Sequence, residues 1–239
     1  MFPQRTLRSL RLALVTDVTV PDAHYRAAVV DLLAVLAYGE LSAFQRLAAD
    51  SALAPTINDA AALAAMASAE HRHFTRLRER LVELGADPEE AIRPFVAAID
   101  GFHQHTAPSD WLEGLVKAYV GDGIGSDFYR EISVMLHPDD RALVTEVCED
   151  LGQSAFVVET VRAAIQADPA VAGRLALWGR RLVGEALSQA QRVAAERDSL
   201  SDFLISGGGA TLDLAEIGAM FSRMTDNHTR RMQSLGLAA

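Results

Sequence analysis

The sequence predicts an all-α fold, a bundle of long helices around one core, on three observations. Half of the 239 residues are apolar while aromatics make up only 6%, and the abundance of Ala, Leu, Glu and Arg favours helix over pleated sheet. Apolar residues recur at i, i+3, i+4 and i+7 instead of alternating. Clusters of Pro, Gly, Asp and Asn cut the chain into about six long helical segments. The length suits a single domain over residues 21–239, preceded by an N-terminal tail over 1–20.

The elements follow in order. Arg5, Arg8 and Arg11 precede a short apolar run in the manner of a signal peptide, but Asp17 interrupts it and no small-residue cleavage site follows, so an unprocessed tail is expected. A first helix over 21–50 is followed by a loop around Pro55 and Asn58. The second helix continues to Gly85, whose backbone freedom suits a helix terminus. Asp87-Pro88 opens a lesser segment, and residues 101–109, with His103, His105 and Pro108, read as a long connection. Ser109 or Asp110 caps a third helix from Trp111 to Leu136. His137-Pro138-Asp139-Asp140 starts a fourth, running to Gln166, and Asp168-Pro169 a fifth, running toward Ser201. Gly207-Gly208-Gly209 breaks the chain before the last helix. With neither a GK[ST] ending nor a preceding strand, it is no phosphate loop.

Charge and cysteine usage narrow the function classes. A net charge of -10 repels a polyanion at long range, so an extended nucleic-acid groove is not expected. Arg72, Arg76, Arg78 and Arg80, and the pair Arg180-Arg181, read as solvated helix faces. The single cysteine, Cys148, cannot form an internal disulfide and stands in no metal-binding spacing, which fits a reducing cytoplasm. No charge-free apolar stretch reaches the roughly twenty residues of a membrane helix.

The chemistry lies where the apolar stripes are broken. In the first helix Val29, Leu33, Leu36, Phe44 and Leu47 are interrupted by Glu40. In the second, Leu63, Met66, Leu77, Leu81 and Leu84 form a seam whose missing members are Glu70 and His73. The third carries Asp122 between Tyr119 and Ser126, and the fourth carries Asp150 and Gln153 between Val147 and Val157. Each helix thus brings a polar group to the mid-height of the bundle. Burying several carboxylates together costs desolvation and like-charge repulsion, and a divalent cation offsets both. Carboxylate oxygen with imidazole nitrogen suits iron, manganese or zinc, and Glu-x-x-His places both ligands on one helix face. The simpler alternative is a salt-bridged polar layer.

The segments Tyr38-Gly39-Glu40, Ala69-Glu70-His71-Arg72-His73-Phe74 and Lys117-Ala118-Tyr119-Val120-Gly121-Asp122-Gly123 resemble the tRNA hydroxylase-like family of the ferritin-like superfamily, and its actinobacterial branch in particular. The resemblance implies a ferritin-like four-helix bundle with two additional C-terminal helices. It also implies a diiron centre held by Glu40, Glu70, His73, Asp122 and Asp150, activating dioxygen to hydroxylate a substrate. The family pattern has a histidine where this chain has Gln153, and an amide is a much poorer ligand for a transition metal, so two irons are expected if the site is intact and one or none if Gln153 disables it. Glu185 and Gln189 are candidates for a supporting shell or weak ligands. His228, Tyr38, Tyr119 and Tyr129 are read as packing residues and His71 as surface.

Two functions compete. One is an oxygen-activating hydroxylase or monooxygenase acting on a small apolar or nucleoside-like substrate. The other is a non-catalytic ferritin-like protein that binds one metal or none and works through a partner. An iron-oxidising mini-ferritin fits less well, given the extra C-terminal helices. Apolar faces on six helices leave room for a homodimer.

Overall fold

The computed structural model describes residues 23–149, 153–206 and 214–239, and these are helical throughout, with no strand among them. The order is α1 (Ala23–Asp50), η1 (Ser51–Leu53), α2 (Ile57–Glu83), α3 (Pro88–Ile92), η2 (Arg93–Phe95), α4 (Val96–His105), α5 (Trp111–Ser133), α6 (Pro138–Val147), α7 (Gln153–Ala167), α8 (Val171–Glu196), α9 (Asp198–Ser206) and α10 (Leu214–Ser234). The proposed tail and the glycine triplet lie outside the described residues.

Local chemistry sets the boundaries. Thr56 caps α2 by accepting from Asp59 N at 3.1 Å, and Asp110 caps α5 by accepting from Glu113 N at 2.9 Å. Glu113 reaches back to Ser109 N at 2.8 Å, so the two ends of the turn hold each other. Gly85, with φ of 72°, ends α2: Ala86 N donates to Leu81 O at 3.0 Å and Gly85 N to Val82 O at 2.8 Å. Gly236, with φ of 78°, closes α10 in the same way.

Three expectations change, one being that the fifth helix, expected to run toward Ser201, ends at Glu196 with α9 following as a separate element. The expected connection over 101–109 is mostly helix, since α4 extends to His105; Phe102 and the buried Ala98 give it an apolar face against the bundle. The expected fourth helix is divided: α6 ends at Val147, where Cys148 N reaches back to Val144 O at 3.0 Å, and α7 starts at Gln153.

α1 and α2 pack along their length as an antiparallel pair, and α5 lies against α1, α6, α7, α8 and α10. By length and composition Ala23–Leu53 could cross a membrane, but its most apolar window is 61% buried within the bundle. The core is split in two. One cluster gathers Leu32, Leu33, Leu36, Leu77, Leu81 and Ile132 with the α6 residues Val144 and Val147. The other gathers Leu47, Leu63, Leu115 and Val120 with Val157 and Val161 of α7 and Trp178, Leu182 and Met232 beyond. Along α1 the division falls between Ala37 and Leu47, along α2 between Ala67 and Leu77, along α5 between Val120 and Ile132. Those intervals contain Glu40, Glu70 with His73, and Asp122.

Candidate metal centre

Glu40 comes from α1, Glu70 and His73 from successive turns of α2, and one ligand atom of each lies within 4.8 Å of the others. His73 Nδ1 is 3.3 Å from Glu40 Oε2 and 3.6 Å from Glu70 Oε2. Glu40 is 8% exposed, so its charge has almost no water to stabilise it. Burial, then the hydrogen bond and charge of Glu70, hold the Glu40 carboxyl well above its ordinary range, with Asp122 and Cys148 adding to the rise. Burial also pushes Glu70 up, but the hydrogen bonds from His73 and Glu40 outweigh it and leave Glu70 low. Burial and like charge thus favour the neutral form of Glu40, while the charged form of Glu70 is favoured.

Asp122 occupies the same level on α5. Its carboxyl is pushed up to about 7, first by loss of solvation and then by the charge of Glu70, against the pull of Arg231, Arg130 and His73. Contrary to the inward position expected for it, Asp122 is exposed, so water screens its carboxyl, and it does not join the group formed by Glu40, Glu70 and His73. Asp150 lies outside the described residues, as does the side chain of Gln153. Glu185 and Gln189 are bound elsewhere: Glu185 Oε1 is 2.7 Å from His105 Nδ1 and accepts from Gln189 Nε2 at 2.7 Å. Gln189 packs against Gly101 of α4, so this pair joins α8 to α4 instead of supporting Glu40, Glu70 or His73.

The surroundings keep protons in place. Burial raises the Tyr129 hydroxyl, with Glu40 and Cys148 nearby adding to it, so it stays a neutral phenol. The Cys148 thiol is pushed up to about 12 by burial, which makes it an inert packing group. Tyr38 donates to Asp100 at 3.0 Å, and His71 is exposed with its ring edge-on to Phe44. His228 is half-buried. Arg76 and Arg80, expected as solvated, join α2 to α6 through Glu146 at 3.3 Å and Asp140 at 2.8 Å.

The sequence reading missed a second buried polar group. His103 Nε2 is 3.0 Å from Ser42 Oγ, and Lys117, 7% exposed, donates from Nζ to Thr106 O at 2.7 Å. Lys117 lies off the Leu112, Leu115 and Tyr119 stripe, nearly opposite Tyr119 on α5, so the apolar period carried no signal for it.

The donors near Glu40 fit a divalent cation: two carboxylates and an imidazole in reach of a common point, where a cation would offset the burial of the acids. No curated protein matches the sequence. A model of a ferritin-like domain of actinomycetes matches residues 23–207, a span that includes the α1, α2 and α5 ligand positions. Fold, polar level and match agree: this chain belongs to the actinomycete family of ferritin-like domains.

Proposed function

We propose that the protein is an iron-dependent hydroxylase related to the tRNA hydroxylases, with Glu40, Glu70 and His73 as the principal ligands and Asp122 and Asp150 completing the set. The observation that carries this reading is the alignment of acids with the division of the core: α1, α2 and α5 each interrupt their apolar stripe between the same two clusters. An acidic layer at that depth opposes folding unless something neutralises it. Iron bound there would supply dioxygen activation.

The chain's own groups would serve that chemistry. Glu70 is held as a carboxylate by His73, ready to bind a cation. Glu40 gives up its proton when a cation arrives. The neutral Tyr129 and Cys148 beside Glu40 keep the lining free of competing charge. The accessible surface of Asp122 gives a small substrate a way to approach the centre. A small apolar or nucleoside-like substrate suits the overall charge of -10 better than an extended polyanion.

A second reading, a non-catalytic protein with one metal or none, is favoured by Gln153, an amide at the position where the resembling family has an imidazole. Metal analysis of protein expressed in iron-rich medium, paired with oxygen consumption, separates the two. The hydroxylase reading expects about two irons per chain and oxygen uptake, both abolished in Glu70→Gln. Iron bound only after Gln153→His, with no oxygen uptake by the unaltered protein, would establish the second reading.

A further inference from the structure

A second site lies on the outer side of α5, where the C-terminal helix crosses it. Arg130 of α5 and Arg230 and Arg231 of α10 line a cavity of about 320 Å³ together with Asp127, Tyr119 and Asn227. Arg231, its side chain only 12% exposed, donates from Nη2 to Asp127 Oδ2 at 2.7 Å and to Gly123 O at 3.0 Å. Arg130 stands with Nη1 3.8 Å from Asp127 Oδ1 and donates through Nη2 to the Cys148 carbonyl. Arg230 donates to Asn227 Oδ1 and forms no ion pair among the described residues. At the rim, Arg162 Nη1 donates to Ser234 O at 2.9 Å.

The balance of charge is what distinguishes this cavity. Arg231, the half-buried member, meets Asp127 as Arg80 meets Asp140 and Arg197 meets Asp31, whereas Arg130 and Arg230 are exposed. Three guanidinium groups line the cavity with Asp127 as the carboxylate in its lining, and Asp122 nearby also feels Arg130 and Arg231, which leaves three positive charges against two negative ones on a chain whose net charge is -10. Like charges held this close repel, and a bound anion relieves them. Guanidinium forks match phosphate oxygens in shape as well as charge. Because Arg230 takes Asn227 Oδ1, the Asn227 NH2 group is left to donate to another acceptor. The Tyr119 hydroxyl adds a further donor.

We propose that the α5–α10 cavity binds the dianionic phosphate group of a small phosphorylated molecule, through Arg130, Arg230 and Arg231 with Asn227 and Tyr119. Arg130 and Arg231 also act on Asp122, but the anion is held by the arginines whether or not a metal is bound. Its volume admits a phosphate with a small attached body, and the single carboxylate of Asp127 orients the arginines without cancelling them.

The test titrates the full-length protein with inorganic phosphate by calorimetry, with chloride and acetate at matched ionic strength as comparators. Phosphate is expected to bind with a dissociation constant in the millimolar range or tighter, and the comparators much more weakly. Arg230→Gln, on an exposed side chain, should weaken phosphate at least about fivefold, and Tyr119→Phe should weaken it to a smaller degree. Arg192→Gln, in the separate cleft between α4 and α8, should leave it unchanged. Phosphate no tighter than chloride, or equal loss in Arg230→Gln and Arg192→Gln, would overturn the proposal. So would loss of phosphate binding in Glu70→Gln, which would place the anion on the metal centre. A single-stranded oligonucleotide that binds far more tightly than phosphate and depends on Arg230 would overturn the small-molecule assignment.

Discussion

Glu40 and Glu70 share His73 and shift in opposite directions: burial and Glu70 raise Glu40, while His73 and Glu40 lower Glu70. Replacing the protonated acid by its amide should therefore be mild. Glu40→Gln is expected to leave the stability of EDTA-treated protein within about 1 kcal/mol while removing metal affinity, whereas Glu70→Gln, which removes the negative charge beside His73, should cost about 1–3 kcal/mol. Guanidinium unfolding and a metal titration measure both. His103 supplies a pH test. Burial first, and Lys117 and Arg46 second, lower its pKa to about 3. An unfolded histidine takes up its proton near 6.5 and the folded one does not until about 3, so stability is full above 6.5 and declines as pH falls toward 3, by up to about 1.4 kcal/mol per pH unit. His103→Gln should flatten that decline when urea midpoints are compared at pH 7 and pH 4. Glu40, Glu70 and His73 were legible in the sequence because each breaks an apolar stripe. His103 was not, because its helix was read as a connection.

Among the elements, α10 depends on close approaches that only small residues permit. The guanidinium of Arg231 lies directly over Gly123 of α5, and the end of Met232 over Gly179 of α8, in the space that a Cβ would occupy. Gly123→Ala should push Arg231 off α5 and cost about 1–3 kcal/mol, with hydrogen exchange in α10 accelerating before the rest of the bundle. The α9 latch is electrostatic: Arg197 binds Asp31 of α1 through both Nε, at 3.1 Å, and Nη2, at 2.5 Å, and Ser199 adds a hydroxyl. Asp31 is 5% exposed, so Arg197→Ala leaves a buried carboxylate with too few partners and should cost about 3 kcal/mol, read as a lower thermal midpoint. The sequence located α1, α2 and α5 closely, since their caps and apolar periods agree. It joined α6 to α7 because the period continues across the gap; periodicity records which face is apolar and does not register where the backbone stops being helical.

For the whole molecule, the acidic level between two apolar clusters couples folding to cation binding. Iron or manganese at about a hundredfold excess over its dissociation constant should add about 2.7 kcal/mol to the metal-free protein, with no gain in Glu70→Gln; calorimetric unfolding with and without metal checks it. The sequence by itself determined the all-α class, the order of the long helices and the positions of Glu40, Glu70 and His73 in their apolar stripes, because apolar period and helix-ending residues are properties of neighbours along the chain. Only the tertiary structure decided which polar groups meet. It brought Glu40 to His73 across α1 and α2, sent Glu185 and Gln189 to His105, and gathered Arg130, Arg230 and Arg231 around Asp127. Those partnerships depend on how helices far apart in sequence cross, and that geometry is set by packing between helices, which no local pattern encodes.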